Sequence, residues 1–415
     1  MKEKIRVGVI GIGGRGIGQT RLLFQMRDVE LVAVCDAYLD RVEPARDAAV
    51  QAGRPAPKVT TNYKEIMQDD TIDAVLCFTA WESHVPICID AMKAGKYVAT
   101  EVGGACSLDS LWQLVKTREE TGVPCMMLEN CCYGQPEMAV LRMVREGLFG
   151  ELVHAEGGYR HDLRREVSLG VENRHYRFRN YKSRNGELYP THALGPIAKW
   201  LNINRGNRFV SLVSVASKAA GISAWAKEHL QEDHSAREPF ACGDVVTTIL
   251  KTAKGETVTL FHDTSLPRPY SRCNVLQGTK GIYAEDCKGY YLDGTKEEWS
   301  SMADMYAKYD HPLWVRYKKE GVKAGHGGMD YLVMRAFLEA VKAGTDTPID
   351  VYDTAAWMAV TCLSEASVAT GGMPVCFPDF TNGKWLIRKP PVESEYSLEY
   401  IPNIQIPEDE PHARV

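Results

Sequence analysis

The chain has 415 residues, with Lys+Arg 49 against Asp+Glu 54, a net charge of -5 and 45% hydrophobic residues. That is the composition of a soluble globular protein too long for one ordinary core. Neither sign of charge gathers into a block and no apolar run approaches bilayer length, so nucleic acid and membrane are excluded as expected partners in favour of small molecules. Met1-Lys2-Glu3-Lys4 runs straight into the first apolar stretch; with no room for an export segment, a cytoplasmic enzyme is expected.

The stretch from Ile5 to Asp36 organises the rest. Arg6-Val7-Gly8-Val9-Ile10 is a buried-strand pattern, and Gly11-Ile12-Gly13-Gly14-Arg15-Gly16 follows it with glycines at the first, third and sixth places. Gly11 permits a tight turn, Gly13 lets the backbone approach a pyrophosphate, and Gly16 lets the next helix pack on the strand with its N-terminus facing phosphates. That helix is expected from about Gly18 to Arg27, and Val29 to Cys35 reads as a second strand ending at Asp36. An acid there accepts ribose hydroxyls and repels a 2'-phosphate, so NAD(H) is favoured, although Arg15 and Arg41 keep NADP(H) in play.

Beyond Asp36, Ala37 to Ala52 reads as helix, Lys58-Val59-Thr60 as a short strand, and Tyr63 to Gln68 as a short helix. Asp73 to Thr79, Lys96 to Glu101 and Pro124 to Glu129 are further strands, separated by helices over His84 to Ala94 and Ser107 to Thr121 that stop at Gly95 and Gly122. Strands and helices alternating at this interval mean a doubly wound parallel sheet, an α/β Rossmann domain over residues 1–135. From about Gly150 the rhythm changes to longer alternating strands at Leu152 to Gly158, Phe209 to Ser217, Val245 to Thr252, Glu256 to Asp263 and Ser271 to Gly278. Helices are expected at Pro136 to Gly147, Thr191 to Leu201, Tyr331 to Ala343 and Val351 to Ala369. The reading is a second α/β domain, 136–392, with an open, mainly antiparallel sheet. Gly221 to Pro239 and Lys296 to Lys323 read as surface insertions, and 393–415 as a C-terminal tail that wraps a neighbour or stays mobile.

The twelve cysteines are scattered, many in apolar runs, as reduced buried thiols are; no Cys/His grouping has zinc spacing, so no metal is expected. Ligands of a doubly wound sheet lie beyond the C-terminal strand ends, which singles out Asp36, Ala80-Trp81-Glu82-Ser83-His84, Glu101-Val102 and Glu129-Asn130. Taken one at a time, each also fits a helix cap or a loop. Trp81 equally fits a half-buried aromatic, Arg174 to Arg179 a solvated loop, His326 a turn residue, and His192 a capping or packing residue.

The order of elements resembles the Gfo/Idh/MocA sugar oxidoreductases, with one departure: Glu101-Val102-Gly103 stands where that family carries Glu-Lys-Pro, so its catalytic lysine is absent. Within that family the chain is similar to the NAD-dependent glycosidases of glycoside hydrolase family 109, typified by alpha-N-acetylgalactosaminidases. The strings that carry the likeness are Gly11 to Gly16, Glu129-Asn130-Cys131-Cys132-Tyr133-Gly134, Tyr159 to Arg164, Leu188 to Pro196, Asn204-Arg205-Gly206 and His326 to Asp330. The resemblance implies that Arg15, Gly16, Asp36, Trp81, His84, Glu101, Val102, Asn130 and Arg177 contact NAD. It likewise implies that Tyr159, Tyr189, Pro190, Thr191, His192 and Tyr270 line the sugar site, and that the protein is a homo-oligomer, a dimer or tetramer.

The chemistry expected is transient oxidation at C3 of the sugar, deprotonation at C2, loss of the C1 substituent, addition of water and re-reduction. The imidazole of His192 suits the C3 hydroxyl proton in both directions, since it can take up and release a proton near neutral pH. Tyr159, backed by His161, is the candidate base at C2, with enolate charge met by Tyr189, Tyr270 or Arg177. Two other readings stand beside it: a net sugar 3-dehydrogenase that releases NADH, and a non-catalytic NAD- or sugar-binding regulator.

Overall fold

A computed structural model describes residues 4–322, 325–387 and 390–405. Six strands form the first sheet: β1 Ile5–Ile10, β2 Val29–Cys35, β3 Lys58–Thr60, β4 Ala74–Cys77, β5 Tyr97–Thr100 and β6 Cys125–Met127. They lie in the order β3-β2-β1-β4-β5-β6, every pair parallel. The order reverses between β1 and β4, and a crevice opens there beyond the C-terminal strand ends. This is the expected Rossmann domain. Its central strands are apolar and largely buried on both faces, β4 and β6 throughout, as in a parallel sheet covered by helices on each side.

The first helix spans Gly14–Leu23 with Gly13 as its N-cap, four residues earlier than expected. Propensity pushes glycines out of helices, but here packing decides. A Cβ on Gly16 would stand 2.0 Å from the Gly11 carbonyl oxygen, and Gly11 itself has φ +93° with Phe78 backbone 2.6 Å from where its Cβ would be.

The second sheet has nine strands: β7 Leu152–Arg160, β8 Phe209–Ala216, β9 Val245–Thr252, β10 Thr257–Asp263, β11 Val275–Gly278, β12 Gly281–Ala284, β13 Gly289–Leu292, β14 Ser300–Ser301 and β15 Val375–Cys376. Their order is β14-β13-β12-β11-β7-β10-β9-β8-β15. It is antiparallel apart from the central β7/β10 pair, so the expected sheet is mixed at its middle. Burial alternates along β9 and β10. Helix Thr191–Trp200 packs on β7 and helix Val351–Ala369 on β8, while Val153, Val215 and Ile249 stand exposed.

Helix Val351–Ala369 is buried along most of its length and packs on β6 and β8, one strand from each sheet. The Ala105 N–H donates to the Met358 carbonyl, the Thr361 hydroxyl donates to the Glu187 carbonyl, and the Ser367 hydroxyl accepts from the Ser214 N–H. Its start is fixed by a capping box between Asp350 and Asp353. Among the described residues no helix is long and apolar enough to cross a membrane.

Three expectations are corrected. The stretch read as an insertion over Lys296 to Lys323 contains helices Met302–Tyr309 and Pro312–Glu320, with Trp314 and Tyr317 buried. The Trp314 indole donates to the Tyr133 carbonyl at 3.0 Å, so aromatics among mixed charges here are core. The other supposed insertion contains helix Gly221–His229. The described part of the tail packs on its own chain, Tyr396 and Leu398 buried and Glu399 paired with Arg205 at 2.6 Å; residues 406–415 lie outside the described residues.

Candidate active site

A cleft of about 840 Å³, lined by residues of both domains, lies within the size range of cofactor and substrate sites. Gly11, Gly13, Arg15, Asp36, His84, Glu101, Val102 and Asn130 line it from the Rossmann domain, and Tyr159, Arg177, Tyr189 and His192 from the second domain, the Arg177 guanidinium lying 5.8 and 5.1 Å from the ring centroids of Tyr159 and Tyr189. The rest of the expected set stands behind these. Trp81 is buried, its ring centroid 4.8 Å from Tyr176 and 6.0 Å from Tyr189, with its Nε1 unpartnered among the described residues. Pro190 and Thr191 are buried at the start of helix Thr191–Trp200 and serve to aim His192. Tyr270 sits half-exposed at the rim, its ring edge-on to His161 at 5.1 Å and to Tyr159 at 6.2 Å.

The nucleotide half fits a dinucleotide on its own geometry. Gly13 caps the helix whose free N–H groups face the cleft, and Asp36 at the end of β2 points back at the turn, its Oδ2 accepting the Ile12 N–H at 2.7 Å. Tyr38 is flanked by the Arg41 and Arg174 guanidiniums, 4.8 and 4.2 Å from its ring centroid. Arg174 pairs with Asp40 at 2.7 Å and so carries a second-domain loop over this end of the cleft. The stretch Arg174 to Arg179 is therefore no solvated loop throughout: helix Arg177–Ser183 begins inside it and buries Arg177.

Arg15 is held by Glu101 through Nε at 2.8 Å and by Asp330 through both terminal nitrogens at 2.7 and 2.9 Å. Asp330 also accepts from Asn130 Nδ2 at 2.7 Å and lies 2.8 Å from His326 Nδ1. Three chain segments thus converge on one buried carboxylate. Its pKa falls far below the ordinary range because hydrogen bonds from His326 and Arg15 outweigh burial. Asp330 ends a string noted in the sequence but received no role there; only the fold shows that Arg15, Asn130 and His326 meet on it.

The second-domain wall centres on His192. Its Nδ1 lies 2.8 Å from Glu129 Oε1 and its Nε2 3.5 Å from the Tyr189 hydroxyl. Glu129 is wholly buried. Burial acts to raise its carboxyl, but the charge and hydrogen bond of His192 and the Cys131 N–H outweigh this and hold it below the ordinary value. The Thr191 hydroxyl lies near enough to add to that effect, yet makes no well-formed hydrogen bond. A carboxylate only accepts, so Nδ1 carries the hydrogen and Nε2 presents its lone pair.

Beside it the Tyr159 hydroxyl lies 3.0 Å from His161 Nδ1, and its ring packs 4.4 Å from Tyr189 and 5.6 Å from His192. Burial raises the Tyr159 phenol while Arg177 opposes it; burial and Arg177 together depress His161. A neutral His161 is fit to accept the phenol's hydrogen. Arg177 itself is paired with Glu166. Although no zinc spacing shows in the sequence, folding brings Glu129, Cys131 and His192 together within 4.8 Å of one another.

Residues 133–387 match the family model described as glycosyl hydrolase 109, C-terminal domain. The chain belongs to glycosyl hydrolase family 109. Residues 5–129 match the oxidoreductase family, NAD-binding Rossmann fold, and NAD is the cofactor. A glycosyl hydrolase family 109 protein of Stenotrophomonas maltophilia (strain K279a) is 42% identical over 94% of this chain and 91% of its own length. The alpha-N-acetylgalactosaminidase of Shewanella oneidensis is 42% identical over 94% of this chain and 87% of its own length. Among solved structures, levoglucosan dehydrogenase in complex with NADH and levoglucosan shares the fold, with TM-score 0.68 and 17% identity over 90% of this chain and 100% of that one. This family 109 chain therefore joins a glycosidase domain to a dinucleotide fold.

Proposed function

We propose that this family 109 glycosidase cleaves N-acetylgalactosaminides or related glycosides by transient oxidation at C3 and elimination across C1 and C2. The observation that carries the reading is His192, its Nδ1 fixed by a buried carboxylate and its Nε2 turned to the Tyr189 hydroxyl at the cleft wall. Bound NAD supplies an acceptor for the C3 hydride and later its donor, so no net oxidation remains. His192 Nε2 takes the C3 hydroxyl proton and returns it at the end, and Glu129 stabilises the imidazolium between those events. Tyr159, its hydroxyl held by His161 Nδ1, is the group assigned to the C2 proton, with Arg177 beside its ring offsetting the phenolate charge. The C1 substituent departs with its bonding pair and takes up the proton released from C2, and water then adds its hydroxyl at C1 and its proton at C2.

The nucleotide contacts are assigned to Gly11, Gly13, Arg15, Asp36, His84, Glu101, Val102, Asn130 and Arg177. Gly16 and Trp81 support this wall from behind, as Pro190 and Thr191 support the sugar wall. All twelve cysteines are free, which supports a reducing, cytoplasmic setting. The exposed Val153, Val215, Ile249 and Met373 support a homo-oligomer, dimer or tetramer, built on the open sheet face.

The deciding experiment incubates purified protein with aryl glycosides, N-acetylgalactosaminides among them, in D2O without added reductant. Aglycone release with deuterium at C2 of the freed sugar and no accumulation of NADH is expected. Stoichiometric NADH without aglycone release reassigns the protein as a net sugar 3-dehydrogenase.

A further inference from the structure

Glu129, Cys131 and His192 come from the residue following Leu128 beyond β6, the turn Asn130–Tyr133 and the first turn of helix Thr191–Trp200. A carboxylate oxygen, a thiol and an imidazole nitrogen are the mixed donor set that zinc selects, and three protein ligands leave a fourth position open. Their donor atoms lie within 4.8 Å of one another. Glu129 Oε2, wholly buried, has no hydrogen-bond partner among the described residues. An unused acceptor in a closed site is a ready ligand.

A tetrahedral zinc with ordinary bond lengths holds such donors about 3.3–3.6 Å apart. The His192 Nδ1 to Glu129 Oε1 distance of 2.8 Å must open by roughly half an ångström, and donors that stand as much as 4.8 Å apart must close by up to about 1.2 Å. His192 lines the cleft and is both the part that moves and the route of entry. We propose that Glu129, Cys131 and His192 form a Zn2+ site that switches the glycosidase off.

The inference rests on His192 acting as the base. Zinc displaces the Cys131 thiol proton to solvent and takes the Nδ1 lone pair, so the ring's hydrogen moves to Nε2. Nε2 is the atom assigned to accept the sugar hydroxyl proton; carrying its own hydrogen, it has no lone pair for it. No electrons are exchanged, and a chelator reverses the change.

The test titrates the NAD-loaded enzyme with ZnCl2 while following turnover of an aryl N-acetylgalactosaminide, then adds EDTA. Turnover should fall more than about tenfold and recover. Loss of an outer-shell partner alone weakens a metal site by about 10–100-fold, so Cys131→Ser and Cys131→Ala should raise the half-inhibiting zinc concentration by about 100-fold or more, while Cys132→Ser should not. Independently of turnover, CoCl2 should give a thiolate-to-cobalt charge-transfer absorption that disappears in Cys131→Ser. That readout decides the site even where no glycoside is cleaved. Turnover indifferent to zinc, equal inhibition of the Cys131 variants, or a cobalt spectrum without the thiolate band overturns the proposal.

Discussion

Glu129 and His192 stand 63 positions apart in the chain and 2.8 Å apart in the site, and the carboxylate between β6 and the turn decides which nitrogen of the ring is free. Glu129→Gln keeps the size but offers a neutral amide, which stabilises the wrong tautomer and no longer supports an imidazolium. Turnover is expected to drop by about 10²–10⁴-fold, with NAD still bound in the purified protein. Steady-state rates together with the nucleotide content after denaturation check this; a variant with normal turnover removes His192 from the mechanism.

Tyr159→Phe removes the hydroxyl that sits 3.0 Å from His161 and leaves the ring packed on Tyr189. Exchange of the C2 hydrogen with D2O should be lost together with aglycone release, by about 10²–10⁴-fold. His161→Ala should cause a smaller loss in the same two readouts, because it acts through the phenol. Persistent C2 exchange in Tyr159→Phe assigns that proton to another group.

Asp330 gathers Arg15, Asn130 and His326. Breaking a buried pair costs about 3–5 kcal/mol, less here because Arg15 keeps some contact with solvent. Asp330→Ala is therefore expected to lose about 2–3 kcal/mol of unfolding free energy and to shed NAD on gel filtration. Denaturant midpoints and the absorbance of the eluted protein measure both; unchanged NAD retention separates the carboxylate from cofactor binding.

Glu187 is wholly buried, its Oε1 accepting the Tyr189 N–H at 3.2 Å and its Oε2 unpartnered among the described residues. Burial raises its carboxyl from 4.5 to about 8. An acid raised on folding binds its proton more tightly in the native state. Its stabilising contribution is complete below pH 4.5 and lost as pH climbs through about 8. The melting temperature should fall across that window, and Glu187→Gln should flatten the fall and gain a few degrees at its upper end. A slope that survives the substitution assigns the effect elsewhere.

Val215 and Ile249 are exposed on neighbouring strands β8 and β9. Introducing charge with Val215→Glu and Ile249→Lys should shift the protein to monomers in light scattering while leaving its unfolding free energy within about 0.5 kcal/mol, as at ordinary surface positions. Assembly unaffected by both changes places the subunit contact on another face.

Much of this was legible in the residues. Strands β1 to β6 announce themselves as apolar runs closed by turn residues, and helix Val351–Ala369 lies within the bounds its pattern suggests. The first helix starts four residues before its apolar pattern does, because glycine's poor helix propensity hides how tightly Gly16 must pack. Trp314 and Tyr317 look like surface aromatics among lysines, since long charged side chains can cover buried rings and local composition cannot tell the two cases apart. In the site, His192 and Tyr159 were found by their strings. Glu129 and Asp330 were visible as letters in those strings, but their roles depend on partners far away in sequence.

Helix Val351–Ala369 lies against both sheets and presents Trp357 with no exposed surface. Neither half of the molecule can surrender it without uncovering apolar area. The nucleotide half cut off near residue 130 should thus aggregate when expressed by itself, and calorimetry of the intact chain should record one cooperative melt rather than two.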